Sequence, residues 1–189
     1  MNIDSFRTAN NADAEAIAEL VNRAYRPESG ATGWTHESHL VAGNRTSAAQ
    51  IVGTILRRGS VILVGLNNEE IVACTHVEKD GNCSHIGMLA VNPILQEVGA
   101  GKQMLAHAEK YASAVFGSEK FVMVVVSART ELVSFYLRRG YQKTGSVMSY
   151  PLSAGAGTPK TPDLKIEVLE KRSNIAVKRD APKTARPLP

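Results

Sequence analysis

Apolar residues recur at Ala14, Ile17, Leu20, Val21 and Ala24, a spacing that gathers them on one face of a helix with 3.6 residues per turn. Asn10 or Asn11 can cap this helix, because a short side-chain oxygen accepts from the unpaired amides of the first turn. The helix stops at Pro27, which lacks the amide a helix interior needs. A Gly/Thr-rich loop follows, through Gly30, Gly33 and Trp34. Ile51, Val52 and Ile55 then predict a second helix over about 47–58. Gly59 ends it, supplying the left-handed conformation common at helix C-termini.

The period changes next. Three strand signals run over Val61–Gly65, Ile71–Glu78 and Cys83–Val91. Asp80-Gly81 between the last two predicts a type I′ hairpin turn, which needs positive φ at both central residues. That register sets His85 opposite His76 and Cys83 opposite Glu78, all on one face. Met104, Leu105, Ala108, Tyr111, Ala112 and Val115 restore helical spacing over Gln103–Phe116. The continuous apolar run Phe121–Val126 reads as a strand buried on both faces. A short helix over about 131–138 is stopped by Gly140, and two final strands run over Tyr141–Tyr150 and Leu164–Leu169. The expected class is α/β, with the order αα, βββ, α, β, α, β, β around one mixed sheet.

Length and composition narrow the class. A chain of 189 residues, 43% hydrophobic, is the size of one domain and can build a core without disulfides or metal. The composition excludes collagen-like, coiled-coil and wholly disordered chains. No apolar run approaches the roughly 20 residues of a membrane span. The N-terminus does not read as a secretory signal, and Cys74 and Cys83 make no disulfide framework. The expectation is a cytoplasmic protein. A net charge of +4 invites a nucleic acid or another anionic partner. Position redirects that reading: residues 172–189 hold Arg172, Lys178, Arg179, Lys183 and Arg186 against Asp180, so residues 1–171 are balanced. The expected division is a domain over 4–171 and a basic, Pro-containing, flexible tail over 172–189, with no partner among nucleic acids or membranes.

The segment Val91-Asn92-Pro93-Ile94-Leu95-Gln96-Glu97-Val98-Gly99-Ala100-Gly101-Lys102 carries the most chemistry. It leaves a strand, passes two glycines and enters a helix, so unpaired first-turn amides point at one spot and make an anion site. The glycines let a phosphate approach the backbone, and Lys102 adds charge. It is no nucleotide P-loop, since Gln103 stands at the place of the metal-binding hydroxyl. Met104 interrupts a dinucleotide fingerprint. The pattern that fits is Gln/Arg-x-x-Gly-x-Gly/Ala at Gln96, Gly99 and Gly101. Further on, Phe135-Tyr136-Leu137-Arg138-Arg139-Gly140-Tyr141 lies on the short helix after the buried strand.

Together these two segments, in this order and context, resemble the GNAT superfamily of acetyl-CoA-dependent N-acetyltransferases, over about residues 4–171. The resemblance implies a mixed, predominantly antiparallel central sheet flanked by helices. Acetyl-CoA would enter as cosubstrate between two splayed strands, Cys83–Val91 and Phe121–Val126. Leu89, Ala90 and Val91 would meet the pantetheine arm, and Gln96, Glu97, Val98, Gly99, Ala100, Gly101 and Lys102 the pyrophosphate. Arg129 stands where many members carry Asn, and Leu132 where many carry Ala. Glu97 sets a carboxylate beside the phosphates. The family uses no metal, and many members dimerise.

Acetyl transfer to an amine needs a neutral amine, a polarised thioester carbonyl and a proton for the leaving thiolate. Tyr136 resembles the family's general acid; packing alone is its plainer role. His85 occupies the place where lysine-acetylating members often carry a Glu, and a neutral imidazole suits a base; a solvated sheet face is the alternative. His76, His85 and Cys83 have zinc-binding side chains, but Cys74 is badly placed to complete a tetrahedron. Trp34 and Glu37, in the loop that walls the family's acceptor site, are candidate substrate-binding residues. The expected reaction moves an acetyl group to a primary amine, on a small molecule or peptide, by direct attack in a ternary complex. The alternative is a non-catalytic acyl-CoA-binding module on the same fold.

Overall fold

The computed structural model describes residues 3–27, 36–96 and 99–174. Trp34, Glu97, Val98 and residues 175–189 of the expected tail lie outside them. Strand β1 (Ser5–Thr8) opens the chain, followed by helix α1 (Ala14–Tyr25). Asn10 caps the entry to α1: its side chain accepts from the Ala12 amide at 2.8 Å, and the Asp13 carboxylate accepts from the Asn10 amide at 2.8 Å. This reciprocal pairing satisfies two otherwise orphaned donors. Strand β2 (Val41–Ala42) precedes α2 (Ala48–Leu56), which Ser47 caps. Then come β3 (Ser60–Asn67), β4 (Glu70–Asp80), β5 (Cys83–Val91), α3 (Ala100–Phe116), β6 (Lys120–Val126), α4 (Thr130–Leu137), β7 (Gln142–Ser149), β8 (Thr158–Pro159) and β9 (Lys165–Arg172).

Seven strands form one sheet in the order β1-β3-β4-β5-β6-β9-β7, and β2 pairs with β8 beside it. Every neighbour pair is antiparallel except β5 with β6. Ile17, Leu20, Val21 and Ile51 pack with Ile62, Val64 and Cys74 on one face. Met104, Leu105 and Ala108 of α3 pack with Val77, Phe121 and Leu169 on the other. Each large side chain in these layers contributes roughly 1.5–3 kcal/mol by leaving water.

Two expectations change. The β4–β5 turn closes on Gly81 and Asn82, not Asp80 and Gly81, because Asp80 pairs with Cys83. Gly81 has φ +58, so positive φ falls on the residue without a Cβ. The register moves accordingly: His85 faces Glu78, Cys83 faces Asp80 and His76 faces Gly87. The four side chains still share a face, since the shift is by two. The run Phe121–Val126 is buried along one face, and on the other only at Val126. Val122 is half-buried and Val124 is 49% exposed, because this face of β6 borders a cavity and no helix covers it.

That cavity begins at the one parallel pair. β5 and β6 pair only at Cys83–His85 against Lys120–Val122, and beyond these residues the strands part. The cause is visible in β5. Cys74 faces Ala90 while His76 faces Gly87, so Met88 and Leu89 together oppose Thr75. Such a bulge bends a strand and increases its twist. Met88 takes φ +50, a conformation a side chain enters only at a cost in energy.

Candidate active site

The wedge between β5 and β6 opens toward the N-terminus of α3. Gly99 precedes this helix with φ +94, no side chain caps its first amides, and its first turn holds no acidic residue. Those amides have no partner within the helix, so they are available to an anion. Lys102, Arg138 and Arg139 border the same cavity of about 400 Å³, with Leu89, Val91 and Gln96 along its wall. A Cβ on Gly101 would lie 3.7 Å from Phe135 and 3.8 Å from Val91, so the helix start approaches the strand closely. The Gln96 side-chain amide donates to the Val91 carbonyl at 3.3 Å and ties the loop to the strand end. Leu89 is engaged as well: the Tyr25 hydroxyl donates to its carbonyl at 3.1 Å. A carbonyl has a second lone pair, so neither bond bars a further donor.

A second cavity, of about 590 Å³, occupies the other end of the wedge. Tyr25, Leu89, Arg129 and Leu132 border both cavities, so the two adjoin at the bulge. Tyr136, His76, His85, Glu37 and Arg45 border the second cavity only.

Residues 31–150 match the family model described as "Acetyltransferase (GNAT) domain". The chain belongs to the GNAT acetyltransferase family. As a GNAT acetyltransferase it is an acyltransferase, and the family's cosubstrate is acetyl-CoA. Its fold is similar to the ribosomal-protein-S18-alanine N-acetyltransferase of Escherichia coli, at 14% identity and a TM-score of 0.68, over 92% of this chain and 96% of that one. An N-acetyltransferase from Staphylococcus aureus Mu50 gives 16% identity and 0.66 over 89% and 96%. A spermidine N-acetyltransferase chimera from Vibrio cholerae gives 12% and 0.65 over 89% and 95%. No curated protein sequence matches the chain. The residues present fit acetyl-CoA: uncapped amides and three cationic side chains suit phosphates, and the wedge suits an extended arm.

In this acetyltransferase Tyr136 is buried and packs edge-on against Phe135 and Tyr141, with ring centroids at 5.2 and 5.8 Å. Burial pushes its phenol well above the usual range, with nearby Tyr25 adding to the effect and Arg129 and Arg139 opposing it. The phenol therefore keeps its proton, as a donor to a leaving thiolate must. His85 projects into partial solvent, its Nε2 3.2 Å from Asp80. His76 is more enclosed, and its Nε2 lies 2.8 Å from the Ser60 hydroxyl. Ser60 donates its only proton to the Thr54 carbonyl at 2.8 Å, so His76 Nε2 is the donor to Ser60. The neutral ring then carries its free lone pair on Nδ1. Burial pushes the His76 imidazole below its usual range, which keeps that lone pair available. Gly87, opposite His76, has nothing within 4 Å of the position a Cβ would take, so no neighbouring atom stands over β5 at that point.

Glu37 is 3% exposed and is engaged by two guanidiniums, Arg26 at 2.6 Å and Arg129 at 3.4 Å. Arg26 also donates to the carbonyls of Tyr25, Gly43 and Ala156. This cluster joins the end of α1 to the loops before α2 and β8. Residue spacing does not single out Tyr25, Arg26 or Arg45, because Tyr25 is the last residue of α1 and the other two lie outside the helices, where the amphipathic pattern has ended. Arg138 and Arg139 lie inside the quoted Phe-Tyr segment, and their consecutive charges beside the phosphate loop were the available signal. Cys83 and Cys74 are free thiols, and burial pushes Cys74 up to about 12. Among the described residues no three His, Cys, Asp or Glu side chains gather as a metal group, and no helix is long and apolar enough to cross a membrane.

Proposed function

We propose that residues 4–171 acetylate a primary amine by direct attack in a ternary complex with acetyl-CoA. The observation that carries this reading is the adjacency, at the bulge, of the phosphate-loop cavity and a second cavity bordered by Tyr136 and two imidazoles. When bound, acetyl-CoA supplies an activated acyl group. The α3 amides, Lys102, Arg138 and Arg139 hold its phosphates, and the edge of β5 from Leu89 to Val91 aligns its arm. The amine nitrogen forms a bond to the acyl carbon as the carbon–sulfur bond breaks. Tyr136 gives its proton to the departing sulfur, and the amine's surplus proton leaves to a base.

The base in this reading is His76, whose Nε2 is committed to Ser60 and whose Nδ1 is free to accept. His85, expected for this role from its place on the strand, stands on the same face and relays the proton toward Asp80 and solvent. Glu37 holds Arg26 and Arg129 in place, and Arg129 closes the wall between the two cavities.

Incubation with acetyl-CoA and a panel of amines, peptides and aminoglycosides tests the reading by CoA release. Acceptor-dependent release is expected. Tight CoA binding with no release from any acceptor would instead support a non-catalytic acyl-CoA-binding module.

A further inference from the structure

Among the described residues, the charge on the wall of the second cavity is unbalanced: Glu37 is its one carboxylate, against Arg45 and Arg129. Arg26 and Arg129 converge on Glu37. The other nearby carboxylates are turned elsewhere: Glu78 pairs with Arg57 and Asp80 with His85, while Glu131 lies 3.7 Å from Arg129 at the edge of the first cavity. Arg45 borders the second cavity, and among the described residues its guanidinium has no carboxylate partner. Its contact is the ring of Tyr25, 5.4 Å from guanidinium carbon to centroid. The hydroxyl of that same Tyr25 bonds to Leu89 at the bulge. Arg45 therefore stands one aromatic side chain away from the strand edge that aligns the acyl group.

Arg45 is also held in place. Asn22 of α1 accepts from the amides of Arg45 at 2.7 Å and Thr46 at 3.2 Å, and donates to the Thr46 carbonyl at 3.0 Å. These bonds fix the backbone of the loop ahead of α2, and the Tyr25 ring is the contact of the guanidinium that borders the cavity. A polyamine or a lysine-rich peptide would bring further positive charge against this wall. A guanidinium fork matches a pair of anionic oxygens.

We propose that the acceptor is an amine bearing an anionic group, carboxylate or phosphate, and that Arg45 binds that group so that the amine is left facing the bulge. The proposal names the substrate class of the transferase described above and rests on that reading. Arg45 sets specificity; the chemistry stays with Tyr136 and the imidazoles.

The test uses the full chain, acetyl-CoA and amines of matched length: glycine and β-alanine, O-phosphoethanolamine, propylamine and spermidine. Carboxylate or phosphate amines are expected to have KM values about tenfold or more below that of propylamine, and the two anionic arms identify which group is preferred. Arg45→Gln should raise KM for the anionic acceptors about tenfold and leave propylamine and the acetyl-CoA Kd within about twofold; Arg45→Lys should recover part of the loss. Calorimetry with N-acetylglycine reads the same site without turnover. Arg45-dependent N-acetylglycine binding with no transfer to any amine would sustain Arg45 as an anion-binding residue and overturn the transferase reading. Preferred transfer to propylamine or spermidine, or an equal effect of Arg45→Gln on every acceptor, would overturn the proposal and leave the transferase standing.

Discussion

Glu37 and Arg129 are 92 residues apart in the chain and meet at 3.4 Å, both buried. The pair joins the loop ahead of α2 to the start of α4, and Arg26 binds the opposite oxygen of the same carboxylate. Removing one partner of such a cluster strands the remaining charges in a low-dielectric setting. Glu37→Ala is therefore expected to cost about 3–5 kcal/mol in urea unfolding. Glu37→Gln, which keeps the shape and one accepting oxygen, should cost less than Glu37→Ala. Equal stability of Glu37→Ala and wild type would show that the cluster contributes nothing net.

Tyr136→Phe removes one oxygen and keeps the ring that packs on Phe135 and Tyr141. Its kcat should fall by about 100-fold or more, in the range of general acid catalysis. The acetyl-CoA Kd should stay within about twofold, as titrated by calorimetry. Unchanged turnover would take the phenol out of the reaction.

A base that works as a neutral imidazole loses activity as it is protonated. Burial holds the His76 imidazole below its usual 6.5, with Glu78 opposing and Arg57, Arg45 and His85 reinforcing the shift. The acid limb of kcat/KM is therefore expected below pH 6.5, and His76→Gln should abolish it along with most of the rate. The same depression has a folding consequence. The unfolded chain binds the His76 proton first as pH falls, so stability declines from about pH 6.5 downward and rises with pH across that window. His85→Gln, read in the same profile, should lower the rate and leave the limb in place.

Asp13 gives the opposite kind of dependence. Arg7 donates to both of its oxygens, at 2.7 and 2.9 Å, and holds the carboxyl below its usual 3.8, with the Asn10 amide adding to the effect. The ionised form favours the folded state, so this contribution is full above pH 4 and fades as pH drops through the folded value. Asp13→Asn should lower the thermal midpoint at pH 7, and the difference from wild type should shrink toward pH 2.

Gly99 and Gly101 separate two demands on the phosphate loop. Gly99→Ala places a Cβ at φ +94 and should cost about 1–2 kcal/mol in stability. Gly101→Ala meets only ordinary contacts with Phe135 and Val91, so it should fold normally. Weakened acetyl-CoA binding by Gly101→Val at near-normal stability would place Gly101 against the ligand; unchanged binding would remove it.

Local rules made the architecture legible wherever one face of an element was apolar. Helix α1 announces itself through Ile17, Leu20 and Val21, and the α3 entrance through Gly99 and Gly101. β1 gave no signal, because Ser5, Arg7 and Thr8 are exposed on a sheet edge and pair with β3 through backbone alone. The hairpin turn was located but misplaced by one residue, since Asp80-Gly81 and Gly81-Asn82 are both acceptable dipeptides and what separates them is Asp80, which pairs with Cys83 and does not take positive φ. On the ligand side, the motifs exposed Gln96, the glycines and Tyr136. Tyr25, Arg26 and Arg45 stayed hidden because their roles depend on partners 64, 130 and 23 positions away in the chain, and no local period encodes such meetings.

Three residue pairs, Cys83–His85 with Lys120–Val122, are a short seam for a seven-stranded sheet. Near that seam Ser84 and Ser118 bond at 2.7 Å, and Glu119 donates to the Asn82 carbonyl at 2.8 Å. Past it the sheet is two plates, β1-β3-β4-β5 and β6-β9-β7, joined along one short edge. A molecule that pairs with both lips of the gap works as mortar between the plates. Its binding energy is then also folding energy by mass action, and amides of Met123–Val126 should exchange with solvent more slowly once the gap is filled.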